Sequence, residues 1–541
     1  MEDMTSPLDE TNGAPSATRS EETPCQNPTR IKVCLVNPSV STAASSLSVE
    51  LILPLGIAYL AGHLDREGFG LTVVDAIGEG AGSFHPLPAY PDGLLHGLTH
   101  EETAGRIPDD AAVVGISCMF SVNWVTNRDT IRAIRSRHPD VVIVIGGEHA
   151  TAMAEYCLRD APEIDFVVLG EGENTMADLL SAMEKGTDPA DVSGLAFMKD
   201  GVFQASPPRP RERELDVLPW PAWRFLNMET YLWSEQALSM GRAHTMSVIA
   251  SRGCPYACTF CSSPGMWGRM WRARSPADVA DEIEYNVRTY GIKHVDFFDL
   301  TMITKKRWIV DFCEEMIARD LNVAWEVNTT RSEAIDGEVT RLLKKAGCAH
   351  VTYALESGSD KVLTDIKKQL DKAALLHSVK QASAAGLQTK INFVVGFPDD
   401  TLGDILQSYK MAILTAWNGA HDTGFFPFSA YPGSALFHRL VDEKRIHLDD
   451  QYFIGLANYN FKNLISFCSN LSATKIRYLC LLGIMIFYAA SFSRHPRRIF
   501  RFLKDYLGTS DRSEKETRLA TALVYLKNKK SYLKRTLNPA E

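Results

Sequence analysis

Cys254, Cys258 and Cys261 stand in Ser-Arg-Gly-Cys-Pro-Tyr-Ala-Cys-Thr-Phe-Cys, directly after the apolar stretch Met246 to Ala250. This Cys-x3-Cys-x2-Cys spacing supplies three thiolates from one short loop. They are enough to hold three corners of a four-iron cluster and leave its fourth iron open to a substrate or cosubstrate. A structural cluster or zinc site closes its coordination with a fourth protein ligand. The odd number therefore points to chemistry at an open iron. A zinc knuckle or an electron-transfer cluster is the competing reading.

The elements that must position this loop follow from length and pattern. At 541 residues the chain exceeds one ordinary core, so about two to four domains are expected. Its 45% hydrophobic and 23% charged residues are typical of soluble globular proteins, and a net charge of -9 offers no footprint for nucleic acid. The 11 cysteines are scattered, unlike a disulfide framework. The first residues include Glu2, Asp3, Asp9 and Glu10, not the basic start of a signal peptide. A reducing cytoplasm is the expected location.

Residues 1–29 are rich in Ser, Thr, Pro and Glu and read as a disordered tail that includes Cys25. From Ile31 short apolar strands alternate with helices: strands at 31–36, 71–75, 112–117, 141–145 and 166–169, with a helix over 53–67. Uniformly apolar strands with helices between them predict a parallel sheet covered on both faces, hence a doubly wound α/β domain over 30–185. Such sheets bind ligands beyond the carboxyl ends of their strands. The residues there are Ser39, Ser117, Gly146 and Gly147 with His149, and Gly170 with Glu171. Glycine would admit a ligand to the backbone, or simply make a tight turn.

Residues 186–244 carry Pro207-Pro208-Arg209-Pro210 and Pro219-Trp220-Pro221 and read as an irregular connector. A second alternation follows over 245–440. A helix begins after Ser275-Pro276, and strands are expected at 294–298, 324–328, 350–354, 388–395 and 424–429. With the strand before the cysteines this makes six units, a partial (β/α)6 barrel of TIM type, whose ligands also gather at carboxyl-end loops. Residues 441–541 read as mainly helical, and no internal repeat is evident.

The cysteine loop with its following barrel resembles the radical S-adenosylmethionine (SAM) superfamily, and the preceding doubly wound domain resembles the cobalamin-binding domain fused to many of its members. Pro54-Leu55-Gly56-Ile57-Ala58-Tyr59-Leu60-Ala61, Gly-Gly-Glu-His and Leu-Gly-Glu-Gly-Glu carry the second likeness. The resemblance implies that Cys254, Cys258 and Cys261 hold a [4Fe-4S] cluster whose open iron binds SAM, and that cleavage of SAM gives a 5'-deoxyadenosyl radical. It places Asp299 near the SAM amino group, although relatives often have Asp-Asp where this chain has Asp299-Leu300. It places Glu356 and Ser357 near the ribose or amino-acid part, Arg331 near the methionine carboxylate, and Gly396 in the adenine-side turn. Capping or surface roles are the alternatives.

For cobalamin, the first loop reads Asn37-Pro38-Ser39-Val40-Ser41 and lacks the Asp-x-His-x-x-Gly lower-ligand pattern. His149 is then assigned a hydrogen bond to the corrin or nucleotide tail instead of cobalt ligation. Cobalamin with radical SAM chemistry implies methylation of a carbon or phosphorus that is no ready nucleophile. Cyclisation or rearrangement is the alternative reaction. A non-catalytic corrinoid or iron-sulfur carrier is the alternative class. An electron donor such as flavodoxin or ferredoxin and a small-molecule substrate are implied partners.

The apolar run Tyr478–Phe492 falls short of the roughly 20 residues that span a bilayer, and a basic aromatic segment through Phe502 follows it. Either it is a buried helix closing the barrel, or 478–502 lies peripherally on a membrane, where a lipid-linked substrate would fit.

Overall fold

The computed structural model describes residues 30–43, 51–87, 93–233, 244–456 and 464–507. The expected tail over 1–29 and the end of the helical region, 508–541, lie outside them.

The first body is a seven-stranded sheet. Lys32–Asn37 lies inside the edge strand Gly70–Asp75, with Val113–Ser117, Val142–Gly146 and Phe166–Val168 following in order on its other side, all parallel. Side chains of successive strand residues leave opposite faces. Val33 and Leu35 accordingly join one core with Ile57 and Leu64, whereas Cys34 and Val36 join another with Ile116, Trp124 and Ile131. Burial on both faces explains the uninterrupted apolar runs. Strand order reverses between Lys32–Asn37 and Val113–Ser117, which opens a crevice at their carboxyl ends.

Two features depart from the sequence reading. Leu195–Lys199 and Val202–Ala205 form a hairpin that pairs antiparallel with Phe166–Val168 and extends the sheet past residue 185. The prolines that indicated a connector all follow this hairpin. A small antiparallel sheet of Val40–Ala43, Phe84–Pro86 and Gly93–His96 also sits beyond the first strand.

The second body has six parallel strands in sequential order: Thr245–Val248, His294–Phe297, Ala324–Thr330, Cys348–Glu356, Gln388–Val395 and Asp422–Pro427. Ser275 caps the helix Pro276–Tyr290 by accepting from Asp278 N. Val295, Phe297, Trp325, Val327, Val351, Ile391 and Phe393 pack outward in one core with the helices. The intervening positions are polar: Ser247, Asp296, Glu326 and His350 lie in adjacent register across four strands and are all buried. The inner face of this partial barrel is therefore hydrophilic near its amino-terminal end, unlike the branched aliphatic filling of a closed barrel.

The helix Ala473–Arg494 runs 22 residues, longer than the apolar run alone and enough by length and composition to cross a bilayer. One face is nevertheless committed to the protein. Ile476, Cys480, Gly483, Phe487 and Ser491 are buried along it. Tyr409 Oη donates to Leu479 O at 2.7 Å, and Tyr488 Oη donates to Asp422. The helix closes the open flank of the barrel beside Leu402–Trp417 and the last strand.

The two bodies share a core. Phe397, Phe428, Phe437 and Phe453, from and beyond the barrel, belong to the same apolar cluster as Trp124 and Ile131.

Candidate active site

The cysteine loop lies where the carboxyl edges of the two sheets meet. Cys254, Cys258 and Cys261 are half-buried, whereas the other described cysteines, from Cys34 to Cys480, are fully buried. Only these three thiols combine exposure with a shared loop. Among the described residues no three His, Cys, Asp or Glu side chains converge closely enough for a single metal ion. A tetrahedral zinc site needs its sulfurs about 2.3 Å from one point, whereas a cube takes each thiolate at a separate corner. Three half-buried thiols on one loop are the donor set for three such corners.

Burial raises the thiol pKa of Cys254 and Cys258, and the nearby cations Lys368 and Arg331 oppose it. A bound cluster needs thiolates, so these two cations favour the ligating form. Arg331 stacks its guanidinium 3.8 Å over the ring of Tyr256, inside the cysteine loop. It also donates to the carbonyls of Lys368 and Gln369, each at 2.6 Å, and to Glu333 at 3.0 Å. The expected pairing with a methionine carboxylate gives way here to a buttress. Arg331 ties the loop to the segment Lys367-Lys368-Gln369.

That segment is strained. Lys367 and Gln369 have φ of 54° and 46°, and Glu356 has φ 67°, all in the left-handed region costly for non-glycine residues. Glu356 follows a register shift in its strand. These conformations place the buried Lys368 ammonium 2.9 Å from Glu356 Oε1 and within electrostatic reach of Cys258. Lys368 was not legible in sequence. It carries no motif, and only the chain reversal after Asp365 brings it to the cysteines.

Other expected contacts are committed within the protein. Asp299 accepts from Ala250 N at 3.1 Å and from Ser251 Oγ, and burial lifts its pKa to about 6. It braces the strand leading into the cysteine loop. Ser357 is buried in a turn, accepting from Ser359 N at 3.2 Å. At Gly396, φ is 91° and a Cβ would lie 2.6 Å from Ile476 Cδ1, so the glycine admits the carboxyl-terminal helix.

At the first sheet, Ser117, Gly146 and Gly147 occupy the carboxyl edge beside the strand-order reversal. Gly147 has φ 114°, and its missing Cβ makes room for the Cys118 carbonyl. Ser39 is buried and donates to Leu98 O at 2.7 Å. His149 corrects the sequence reading. It is 1% exposed, with Nδ1 2.9 Å from Ser121 Oγ and Nε2 3.6 Å from Cys157 Sγ, and burial lowers its pKa to about 3. Both nitrogens face the interior, packed with Trp124 and Phe453. Gly170, with φ 79°, leaves its Cβ space to the Arg211 guanidinium. Glu171 is also turned to the protein, accepting from Arg252 and Arg272 of the barrel.

Glu148, by contrast, reaches across from the first sheet to accept from Ser262 Oγ, the residue after Cys261. Thr151 Oγ1 likewise lies 3.4 Å from Met266 Sδ. These ties set the loops after the first sheet's strands directly against the cysteine loop.

Comparison with known proteins agrees with this geometry. The radical SAM superfamily profile matches residues 248–412, and the B12 binding domain profile matches residues 48–180. An uncharacterized methyltransferase of Pyrococcus horikoshii is 30% identical over 413 residues, covering 76% of this chain and 83% of its own. The anaerobic magnesium-protoporphyrin IX monomethyl ester cyclase of Rubrivivax gelatinosus is 29% identical over 431 residues, covering 78% and 72%. The cytidylyl-2-hydroxyethylphosphonate methyltransferase of Streptomyces wedmorensis is 28% identical over 444 residues, covering 76% and 82%. Among solved structures, the radical SAM methyltransferase TsrM of Kitasatospora setae, with cobalamin and a [4Fe-4S] cluster bound, superposes with TM-score 0.64 at 16% identity, covering 94% of this chain and 100% of that one. With an open-cornered cysteine loop facing a doubly wound partner sheet, the chain belongs to the radical SAM superfamily, among the members that carry a B12 binding domain.

Proposed function

We propose that this cobalamin-dependent radical SAM methyltransferase methylates an unactivated carbon or phosphorus of a small biosynthetic intermediate, held between the two sheet edges. The observation that carries the reading is the direct apposition of those edges, with Glu148 on Ser262 at the cysteine loop. A substrate between them would lie within reach of groups held at either edge. When bound, the cluster and SAM supply a hydrogen-abstracting radical, and cobalamin supplies the methyl group.

The chain's own residues hold and exclude. Arg331 and Lys368 keep cations beside Cys254 and Cys258, and Asp299 braces the approach strand. Ser117, Gly146 and Gly147 are assigned to the cobalamin side, and Glu356 and Ser357 to the SAM side. The exposed rings of Phe298 and Phe426, near the carboxyl ends of their strands, support a substrate entrance at the barrel's carboxyl-end mouth. A one-electron donor of flavodoxin or ferredoxin type and a reducing cytoplasmic setting belong to the same reading. The ten described cysteines are all free, in keeping with that setting.

A cyclase is the second reading, favoured by the likeness to the Rubrivivax protein. Anaerobic incubation with reductant and methyl-labelled SAM separates the two. A methyltransferase forms S-adenosylhomocysteine and leaves the label on its bound cobalamin, whereas a cyclase does neither. Cys258→Ala abolishes 5'-deoxyadenosine formation; retained activity would overturn the cluster assignment.

Peripheral membrane contact through 478–502 is part of the proposal. Tyr478, Leu481, Leu482 and Met485 are exposed on the outer stripe of their helix, and Ile499, Phe500 and Leu503 on the next. Arg494, Arg497, Arg501 and Lys504 accompany them. Basic residues around an apolar stripe suit an anionic bilayer surface, and a lipid-linked substrate would then be delivered at the barrel's flank.

A further inference from the structure

We propose that Glu171 and Glu173 are positioning residues, which lock the cysteine loop to the carboxyl edge of the cobalamin-binding sheet and so fix the gap between the two cofactors. The inference rests on the two-cofactor chemistry, not on the identity of the methyl acceptor. Arg252 precedes Cys254 by two residues and sits in the short strand Ser251–Arg252, paired antiparallel with Arg272–Ala273. Its two guanidinium nitrogens divide between the glutamates, Nη1 at 3.3 Å from Glu171 Oε1 and Nη2 at 2.6 Å from Glu173 Oε1. Arg272 adds a two-point contact to Glu171, 3.0 Å to each oxygen. The Glu212 amide donates to the same carboxylate at 3.2 Å.

Each of the four charged side chains is at most 10% exposed, and two cations meet two anions. Such a neutral cluster is stable in the interior only while all its members stay in register, because losing one leaves an uncompensated buried charge. Burial works against the charged form of Glu173, yet Arg252 outweighs it and holds the carboxyl below its usual range. The Arg252 guanidinium also lies 5.2 Å from the ring of Tyr59 and 5.6 Å from that of Trp267, one from each body. Arg274, which pairs with Glu282 inside the barrel, adds a second tie to the first body through Tyr59 Oη at 3.3 Å, but away from the cysteines. The Glu171–Glu173 cluster crosses between the bodies at the root of the cysteine loop. A substrate carbon that must meet a radical on one side and a methyl donor on the other is sensitive to displacements of about 1 Å.

The test is a pulsed EPR distance measurement between the reduced cluster and cob(II)alamin in full-length reconstituted protein. Wild type is expected to give one narrow distribution. Glu171→Gln and Glu173→Gln lose that narrow component at unchanged iron and cobalamin content, and Glu173→Asp restores part of it. Wild-type distributions in both Gln variants would overturn the proposal. Glu173→Gln leaves the Arg272–Glu171 pair intact, so it decides the matter alone if Glu171→Gln fails to fold. Wild-type protein that takes up only one cofactor would overturn the two-cofactor reading itself, a result separable from any variant's behaviour.

Discussion

Lys368 Nζ lies 2.9 Å from Glu356 Oε1, and both side chains are buried beside the cysteine loop. The pair brings opposite charges close to one cluster ligand, since Lys368 lowers and Glu356 raises the Cys258 thiol pKa, against a larger rise from burial. Removing either charge must therefore move the cluster potential in opposite directions. Lys368→Met is expected to make it more negative, and Glu356→Gln more positive, each by tens of millivolts, where about 59 mV is a tenfold change for one electron. An EPR-monitored redox titration checks this. Shifts of the same sign in both variants would mean that the pair acts through folding alone.

Gly396 faces the carboxyl-terminal helix with no room for a side chain. Gly396→Ala combines left-handed strain with a clash on Ile476, for a loss of roughly 2–4 kcal/mol. Ile476→Val removes the clashing Cδ1 and costs about 1 kcal/mol alone, yet in the Gly396→Ala background it recovers the part of the loss that comes from the clash, leaving the backbone strain. Denaturant titration of the double-mutant cycle measures the coupling, and strict additivity would show that the two do not touch.

Asp400 accepts from the amides of Gly396 and Phe397 through one oxygen, at 2.9 and 3.1 Å, while burial raises its pKa from 3.8 to about 7. A carboxyl whose pKa is higher folded than unfolded binds more protons when folded. Its contribution is thus complete below the unfolded pKa and is lost as pH rises from about 4 through about 7. Asp400→Asn removes that dependence, so the variant gains on wild type across this window by up to roughly 1.4 kcal/mol per pH unit. A stability difference independent of pH between 4 and 8 would contradict the assignment.

The exposed stripes of 478–502 predict co-sedimentation with vesicles containing anionic lipid, weakened by salt and by Met485→Glu or Phe500→Glu. Both side chains are exposed, at 60% and 73%, so neither change disturbs the core. Indifference of the wild-type protein to anionic vesicles would remove the membrane from the account.

What could be read from the sequence was what local spacing encodes. Three cysteines within one turn of chain, and apolar strands buried on both faces, leave their mark on consecutive residues. The partial barrel is less legible because its inner positions are polar. Asp296, Glu326 and His350 share a row only once the strands are in register. Glu171 and His149 were misread for a related reason. Each follows a strand end, where ligands bind, but their partners are far away in sequence or in the layer beneath. Arg252 and Arg272 claim Glu171, and Ser121 and Cys157 claim His149. The hairpin 195–205 was hidden by the prolines that follow it.

The central claim is that one chain couples radical generation to methyl transfer. Anaerobic incubation of the cobalamin- and cluster-loaded protein with a one-electron reductant and methyl-labelled SAM tests it, with both nucleoside products quantified. The account predicts 5'-deoxyadenosine together with S-adenosylhomocysteine, the latter at least equal to the bound cobalamin. Formation of 5'-deoxyadenosine with no S-adenosylhomocysteine, or of neither, would contradict it.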